Sequence, residues 1–404
     1  MKYPIGIQTF EQIINNGFVY VDKTDMVYAL ATEGKTYFLS RPRRFGKSLL
    51  LSTLRAYFEG KKELFKGLKI DKLEKDWHAH RVLHIDFNGV VFTRPGALED
   101  ELDKQLSTWE EEYHLPKGTR EMYGWRFEQI VQAIYTETGR GAVVLIDEYD
   151  KPLLDVLEMD PELLNNNREI LKAFYSVFKR TDAYLRFVFL TGVTKFSQVS
   201  VFSGFNQPKD ISMYEQFEAL CGITEEELHT QFAKPIREMA QTENCTEEEI
   251  KLRLKKHYDG YHFSKQMTDI YNPFSVLNAF DSKDIRDFWF ATGTPTYLIR
   301  LMNHFNEGID ELTGREYSLD EFVNYKADTE YPLPMIYQSG YLTIKNYDRE
   351  MDMFLLDFPN NEVKRGFLAM VASNYLQSGQ PMDSWIKRAV LSLRRGQIDQ
   401  FRQM

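Results

Sequence analysis

The residues with the clearest chemical potential are Gly46, Lys47 and Ser48, which close the basic turn Arg41-Pro42-Arg43-Arg44-Phe45 and lead into an apolar stretch at Leu49. A triphosphate sits best against unpaired backbone N–H groups at a helix N-terminus, where the helix dipole also favours negative charge. Arg43, Arg44, Phe45, Gly46, Lys47, Ser48 and Leu49 are therefore the candidate nucleotide contacts. Gly46 admits close approach of the backbone, the Lys47 ammonium can reach the β- and γ-phosphates, and the Ser48 hydroxyl can ligate the Mg²⁺ that bridges them. The pattern G-x-x-x-x-G-K-[ST] has glycine at its first position and this chain has Arg41 there, so Arg41 and Pro42 must build the turn differently.

A second group of oxygen ligands follows the apolar run Gly141-Ala142-Val143-Val144-Leu145-Ile146, which ends in Asp147-Glu148-Tyr149-Asp150. Carboxylates at the C-terminal end of an interior strand lie where open α/β sheets bind ligands. Asp147 is suited to hold Mg²⁺ through water, and Glu148 to orient or deprotonate an attacking water. A third run, Leu185-Arg186-Phe187-Val188-Phe189-Leu190, ends in Thr191-Gly192-Val193-Thr194-Lys195. In ATPases with an extra strand between loop and acidic strand, a polar residue at this place senses the γ-phosphate. Thr191 is the first candidate and Thr194 the second; the alternative is that both simply terminate the strand. Glu148, Lys47 and Thr191 are the candidate catalytic residues, and Ser48 and Asp147 the candidate metal ligands.

The elements that must position these groups are legible around them. Thr36 to Ser40 is a short run of strand formers, and the apolar residues after Ser48 recur at helical spacing, which predicts strand, phosphate loop, helix. Runs apolar throughout, as at 141–146, suit strands buried on both faces of a parallel sheet. Arg81 to Phe87, between loop and acidic strand, is expected to supply that extra strand, with Asp86 either facing the site or capping the next turn.

Six stretches together carry a family resemblance: Arg41 to Ser48, Leu145 to Asp150, Thr191 to Lys195, Tyr258-Asp259-Gly260-Tyr261, Tyr271-Asn272-Pro273-Phe274 and Gln338-Ser339-Gly340-Tyr341-Leu342. The chain resembles the bacterial AAA-ATPase-like family over nearly its whole length. In that family Arg41 is an expected variation. The resemblance implies ATP and Mg²⁺ as ligands, Lys47 and Ser48 as nucleotide and metal contacts, Asp147 and Glu148 as the acidic pair, and a lead-in before Lys35 that packs beside the adenine. Many members continue into a PD-(D/E)XK nuclease-like domain. No separated acidic strand pair of the D…E-x-K type follows residue 350, so nuclease activity is not carried over.

Composition sets outer limits. The 404 residues, 43% of them apolar, are enough for two or three domains with a sizeable core. A formal net charge of -10 argues against a surface that binds nucleic acid everywhere by counterion release, while a local basic face stays open. Cys221 and Cys245 are the two cysteines, which speaks for a reducing compartment and against a disulfide framework. The N-terminus has no apolar h-region and no stretch approaches a membrane span, so the bacterial cytoplasm is expected.

The expected architecture is an α/β, P-loop NTPase three-layer sandwich with a parallel sheet over 1–213, a helical lid over 214–315, and a winged-helix-like segment with terminal helices over 316–404. A helix is expected from Asp25 to about Thr32 after a cap in Asp22-Lys23-Thr24, and others over Leu98–Tyr113 and Phe127–Tyr135. Asn165-Asn166-Asn167 reads as a further helix start, before apolar spacing from Ile170 to Phe178. Phe196 to Asn206 reads as an ordered loop over the nucleotide edge. In the lid, Thr224 to Glu227 is a capping box, a second helix begins near Thr246, and others span Pro273–Phe280 and Thr294–Phe305. Arg237, Arg286 and Arg300 are candidates to present an arginine to the γ-phosphate. His257 and His262 stand without metal-spaced partners and read as packing or surface residues. Helices at Leu319–Tyr325 and Met335–Gln338, then a hairpin of Tyr341–Ile344 and Met353–Leu356, outline a winged helix, whose acidic surroundings favour a packing role over a DNA groove. Trp385 to Arg395 reads as a basic amphipathic terminal helix. Two functions are compatible with these residues: an ATP-hydrolysing switch with a protein partner or further copies of itself, and a non-hydrolysing nucleotide-gated module that delivers a partner to DNA.

Overall fold

The computed structural model describes residues 1–196, 208–290, 298, 312–324, 331–376 and 382–402. The run Thr36–Ser40 forms β1, Val82–Asp86 β2, Ala142–Asp147 β3, Leu185–Gly192 β4 and Lys209–Asp210 β5. They pair in the order β2-β3-β4-β1-β5, every pair parallel. All six residues of β3 are buried, as expected for a strand covered on both faces. The extra strand expected at Arg81–Phe87 is instead β4: it is β4 that inserts between β1 and β3, while β2 stands at the sheet edge beside β3, since order along the chain does not set order in a parallel sheet. Because the strands are parallel, Ser40, Asp86, Asp147 and Gly192 all end at one edge.

Helices α1 (Phe10–Asn15), α2 (Thr24–Glu33), α3 (Lys47–Phe58), α4 (Lys69–Leu73), α5 (Ala97–Glu112), α6 (Tyr123–Thr138), α7 (Lys151–Leu154) and α8 (Pro161–Arg180) surround the sheet, with α3 and α6 both packed on β3. The Asp22 carboxylate accepts the Thr24 N–H at 2.9 Å, which starts α2. The helix expected to begin at the asparagine triplet begins earlier. The Asp160 carboxylate caps the N–H of Leu163 at 2.9 Å, Pro161 occupies the first turn, and Asn165, Asn166 and Asn167 lie inside α8. Asn167 is buried there, donating its side-chain amide to the Pro152 carbonyl at 2.8 Å.

Beyond the sheet, the helices Glu225–Gln231 and Glu247–Tyr258 both open on capping boxes, Thr224 with Glu227 and Thr246 with Glu249. With Ala233–Glu243 and Pro273–Ser282 they bury a core of their own, built from residues such as Leu228, Phe232, Ile236, Leu254 and Val276. The C-terminal segment has β6 (Arg315–Tyr317), helices Leu319–Val323 and Leu333–Gln338, and then β7 (Thr343–Asp348) and β8 (Met353–Asp357), the three strands pairing in the order β6-β8-β7. That is the winged-helix outline, and its apolar residues Tyr341, Ile344, Phe354 and Phe367 belong to the same core as the parallel sheet. The terminal helix runs Met382–Arg394, followed by Ile398–Arg402. The expected loop over 197–206 and most of the expected helix at Thr294–Phe305 lie outside the described residues. Among the described residues no helix is long and apolar enough to cross a membrane.

Candidate nucleotide site

The loop from Arg41 to Gly46 leaves β1 and turns into α3 through two left-handed residues, Arg44 (φ 68°) and Gly46 (φ 96°). A Cβ at Gly46 would meet nothing within 4 Å, so the glycine serves the backbone conformation and faces open space at the helix N-terminus. Lys47 is buried, and its ammonium donates to the carbonyls of Arg41 at 2.9 Å and Pro42 at 3.1 Å. Burial pulls the Lys47 pKa down, opposed by the charges of Asp147, Glu148 and Asp150. Ser48 and Asp147 line one cavity, and burial raises the Asp147 pKa while the neighbouring Ser48 hydroxyl opposes the rise. Glu148 follows in a left-handed conformation (φ 48°), and burial likewise raises its carboxyl above the usual range.

The first position of the loop is the departure from the consensus, and its physical basis is visible. Arg41 is fully buried. Its guanidinium donates to the carbonyls of Ser40 (2.9 Å), Ser212 (2.7 Å), Phe217 (3.3 Å) and Glu218 (3.5 Å), and sits 4.1 Å from the centre of the Phe263 ring. The arginine thus joins the end of β1 to the segment after β5 and to the lid. The loop is gripped elsewhere as well: Phe45 packs edge-on against Tyr261 and Phe263, the Trp289 indole donates to the Arg43 carbonyl at 3.1 Å, and Gly340 lies against the Pro42 ring.

These arrangements fit a phosphate ligand and a hard cation. Backbone N–H groups at the start of α3, a buried ammonium and two oxygen donors, Ser48 and Asp147, converge at the C-terminal ends of β1 and β3. Beside them, between α3 and the sheet edge, lies a polar cavity of about 350 Å³ lined by Ser48, Ser52, Arg55, His84, Asp86 and Asp147 among others. Asp86 is in register with Asp147 across β2 and β3; it also accepts the Asn88 N–H at 2.8 Å, so it both caps the next turn and faces this cavity.

A sequence profile described as "Predicted AAA-ATPase" matches residues 4–202. An uncharacterized protein from the vnfD 5' region of Azotobacter chroococcum is 37% identical over 382 residues, covering 93% of this chain and 70% of that protein. The chain belongs to the AAA-ATPase-like family. Among solved structures, the Aeropyrum pernix ORC1 protein in complex with DNA aligns at 11% identity and TM-score 0.28, over 86% of this chain and 92% of that one. The Aeropyrum pernix ORC2 protein, in ADPNP and ADP complexes, aligns at 12% identity and TM-score 0.32, over 87% and 94%. For this family member the α/β assignment rests on the strand order and parallel pairing given above.

The threonines at the end of β4 are engaged within the protein. Thr191 donates its hydroxyl to the Leu39 carbonyl at 2.9 Å, and Thr194 donates to Asp150 at 2.7 Å. Two of the candidate lid arginines pair within the lid, Arg237 with Glu247 at 3.0 Å and Arg286 over Phe288 with Asp284 at 3.8 Å; Arg300 lies outside the described residues. Within the loop, Arg43 and Arg44 are exposed, and the Arg44 guanidinium is 5.0 Å from the Phe274 ring. His257 faces Asp287 and Arg365, while His262 bridges Asp269 and the Ile344 carbonyl. No group of three or more potential metal ligands gathers among the described residues. Three further residues hold this region without a role legible in the sequence: Asp150, Trp289, and Gln338, whose side-chain oxygen accepts the Lys195 N–H at 2.7 Å; the compact motifs around Asp150 and Gln338 are the one signal the sequence offers for them.

Proposed function

We propose that this AAA-ATPase-like protein binds ATP with Mg²⁺ and hydrolyses it, using the cycle to change the disposition of lid and C-terminal segment against the sheet. The observation that carries the reading is that Lys47 and Ser48 open α3 at the sheet edge where β3 runs out into Asp147 and Glu148, the last a half-buried carboxylate whose pKa burial raises and which a pure binding module does not need. Arg43 to Leu49 would receive the phosphates on backbone N–H groups, with Lys47 leaving the Arg41 and Pro42 carbonyls for the β- and γ-phosphates. Ser48 and Asp147 would hold Mg²⁺, which neutralises charge on the phosphates. Glu148 would take a proton from water as the water oxygen bonds the γ-phosphorus and the bond to the β,γ-bridging oxygen breaks, giving ADP and phosphate. Thr191 would sense the γ-phosphate only by releasing the Leu39 carbonyl, which would couple the sensor to β1.

Lid and winged segment both grip the loop, through Phe45, Arg43 and Pro42, which supports a switch worked by nucleotide state. The proposed units remain 1–213, 214–315 and 316–404, in the cytoplasm, with a protein partner or a second copy as the recipient of the motion. Phosphate release by the purified chain tests the proposal. Glu148→Gln should lower release ~100-fold or more while Mg-ATP binding persists. Mg-ATP at ~100 times its dissociation constant should add about 2.7 kcal/mol to stability, a gain that Lys47→Ala should abolish. Tight binding without release by the wild type would favour a non-hydrolysing, nucleotide-gated module.

A further inference from the structure

Two fully buried side chains directly after the acidic pair, Tyr149 and Asp150, take no part in the reaction described above. Asp150 turns back into the protein, and one of its oxygens accepts the N–H of Val193 at 3.0 Å, the N–H of Thr194 at 2.7 Å and the Thr194 hydroxyl at 2.7 Å. The Tyr149 hydroxyl donates to the Thr194 carbonyl at 2.9 Å and accepts the Phe196 N–H at 3.2 Å, while its own N–H donates to the Thr191 carbonyl at 3.1 Å. All these partners belong to one short piece of chain, residues 191–196, where β4 ends and the chain leaves it. Gly192 is built around the clamp: a Cβ there would stand 2.4 Å from an Asp150 oxygen and 2.7 Å from the Tyr149 ring. The Gly192 carbonyl in turn accepts the Arg41 N–H at 3.2 Å, so the clamped strand end also meets the start of the phosphate loop.

A buried carboxylate is a poor device for stability alone, because desolvation offsets most of what its hydrogen bonds contribute. Its value is geometric. Glu148 stands in a left-handed conformation that a non-glycine residue keeps only when its neighbours hold it. On one side it is held by β3, and on the other by Tyr149 and Asp150.

We propose that Asp150, assisted by Tyr149, is a positioning residue for ATP hydrolysis: by clamping the end of β4 it sets the Glu148 carboxylate at a fixed place relative to the Thr191–Thr194 segment and the loop. The inference rests on the ATPase reading given above. It assigns the last aspartate of the Asp147-Glu148-Tyr149-Asp150 sequence to the alignment of the water, distinct from the metal ligand and the base.

The test uses the full chain and separates alignment from binding and from folding. Phosphate release gives kcat, and titration with a non-hydrolysable ATP analogue and Mg²⁺ gives the dissociation constant. For Asp150→Asn, kcat should fall by about 10- to 100-fold, the effect of a small misplacement at a reacting centre, with analogue binding kept. The loss should persist at a temperature where circular dichroism shows the variant fully folded. Should Asp150→Asn fail to fold, Thr194→Val and Tyr149→Phe each remove a single hydroxyl bond of the same clamp and should lower kcat with binding unchanged. Wild-type kcat in folded Asp150→Asn, or in both milder variants, overturns the proposal, as does a loss that resides wholly in analogue binding. A wild-type chain that releases no phosphate overturns the ATPase reading itself and this inference with it, an outcome distinct from an active wild type with active variants.

Discussion

Restoring the glycine that the phosphate-loop pattern calls for should damage this protein. In Arg41→Gly the carbonyls of Ser40 and Ser212 lose donors at 2.9 and 2.7 Å, the weaker bonds to Phe217 and Glu218 go as well, and the Phe263 ring loses a stacked cation at 4.1 Å. Two well-formed bonds from a charged donor contribute ~1.5–3 kcal/mol each, and against this the variant no longer desolvates a guanidinium. The net loss for Arg41→Ala should be ~3–5 kcal/mol, the range for removing one side of a buried charged contact. Arg41→Gly should lose somewhat more, because glycine also adds backbone freedom to the unfolded chain. Arg41→Met, which fills the space without donors, should lose roughly half as much as alanine, since the cavity contribution is largely removed. For a domain of about 200 residues, 4 kcal/mol lowers the melting temperature by roughly 10 °C. Thermal and urea unfolding followed by circular dichroism, without nucleotide, measure the three variants side by side. Arg41→Gly within ~1 kcal/mol of wild type would show that the guanidinium is incidental to the loop, and the explanation given for its departure from the pattern would be wrong.

Other perturbations test other parts of the account. Glu362 is buried, accepts the Trp289 N–H at 2.6 Å and the Ser275 hydroxyl at 2.8 Å, and burial raises its pKa to about 7. A carboxyl raised in the folded state stabilises fully below its unfolded pKa near 4.5, and that contribution is lost as pH rises toward 7. Glu362→Gln, which mimics the protonated form, should therefore gain on wild type between pH 4.5 and 8 by up to ~3 kcal/mol; a stability difference flat across that window refutes the assignment. Gly192→Ala should destabilise by ~1–3 kcal/mol through overpacking against the Asp150 carboxylate, and calorimetry showing no change would mean that the clamp can shift at no cost.

The sheet was legible where strands were continuous apolar runs bounded by chemistry, as in β1, β3 and β4. Strand order was not, because nothing in a linear pattern says that β4 pairs with both β1 and β3 while β2 takes the edge. Helix starts were legible where a capping box stood free, at Thr224 and Thr246, and misread at Asn165, where the tertiary contact of Asn167 with Pro152 keeps asparagines inside a helix. The six-residue helix α1 has too little pattern of its own and is held by partners elsewhere, the Ser52 hydroxyl on the Phe10 N–H and Lys61 on Glu11. In the candidate site, Lys47, Ser48, Asp147 and Glu148 stand out in the sequence because each motif is local. The contacts of Asp150, Trp289 and Gln338 span 44, 246 and 143 residues of chain, a distance over which one sequence carries no pairing signal.

The seat of Phe45 among Tyr261 and Phe263 has a mechanical consequence. A ring in this turn cannot leave that nest unless the turn itself is redrawn, so in the proposed cycle any pull on the distal segment would be felt as a change in grip on a bound nucleotide. Thermodynamic reciprocity would then make the converse equally true: filling the cradle would set how readily that segment yields to whatever pulls on it.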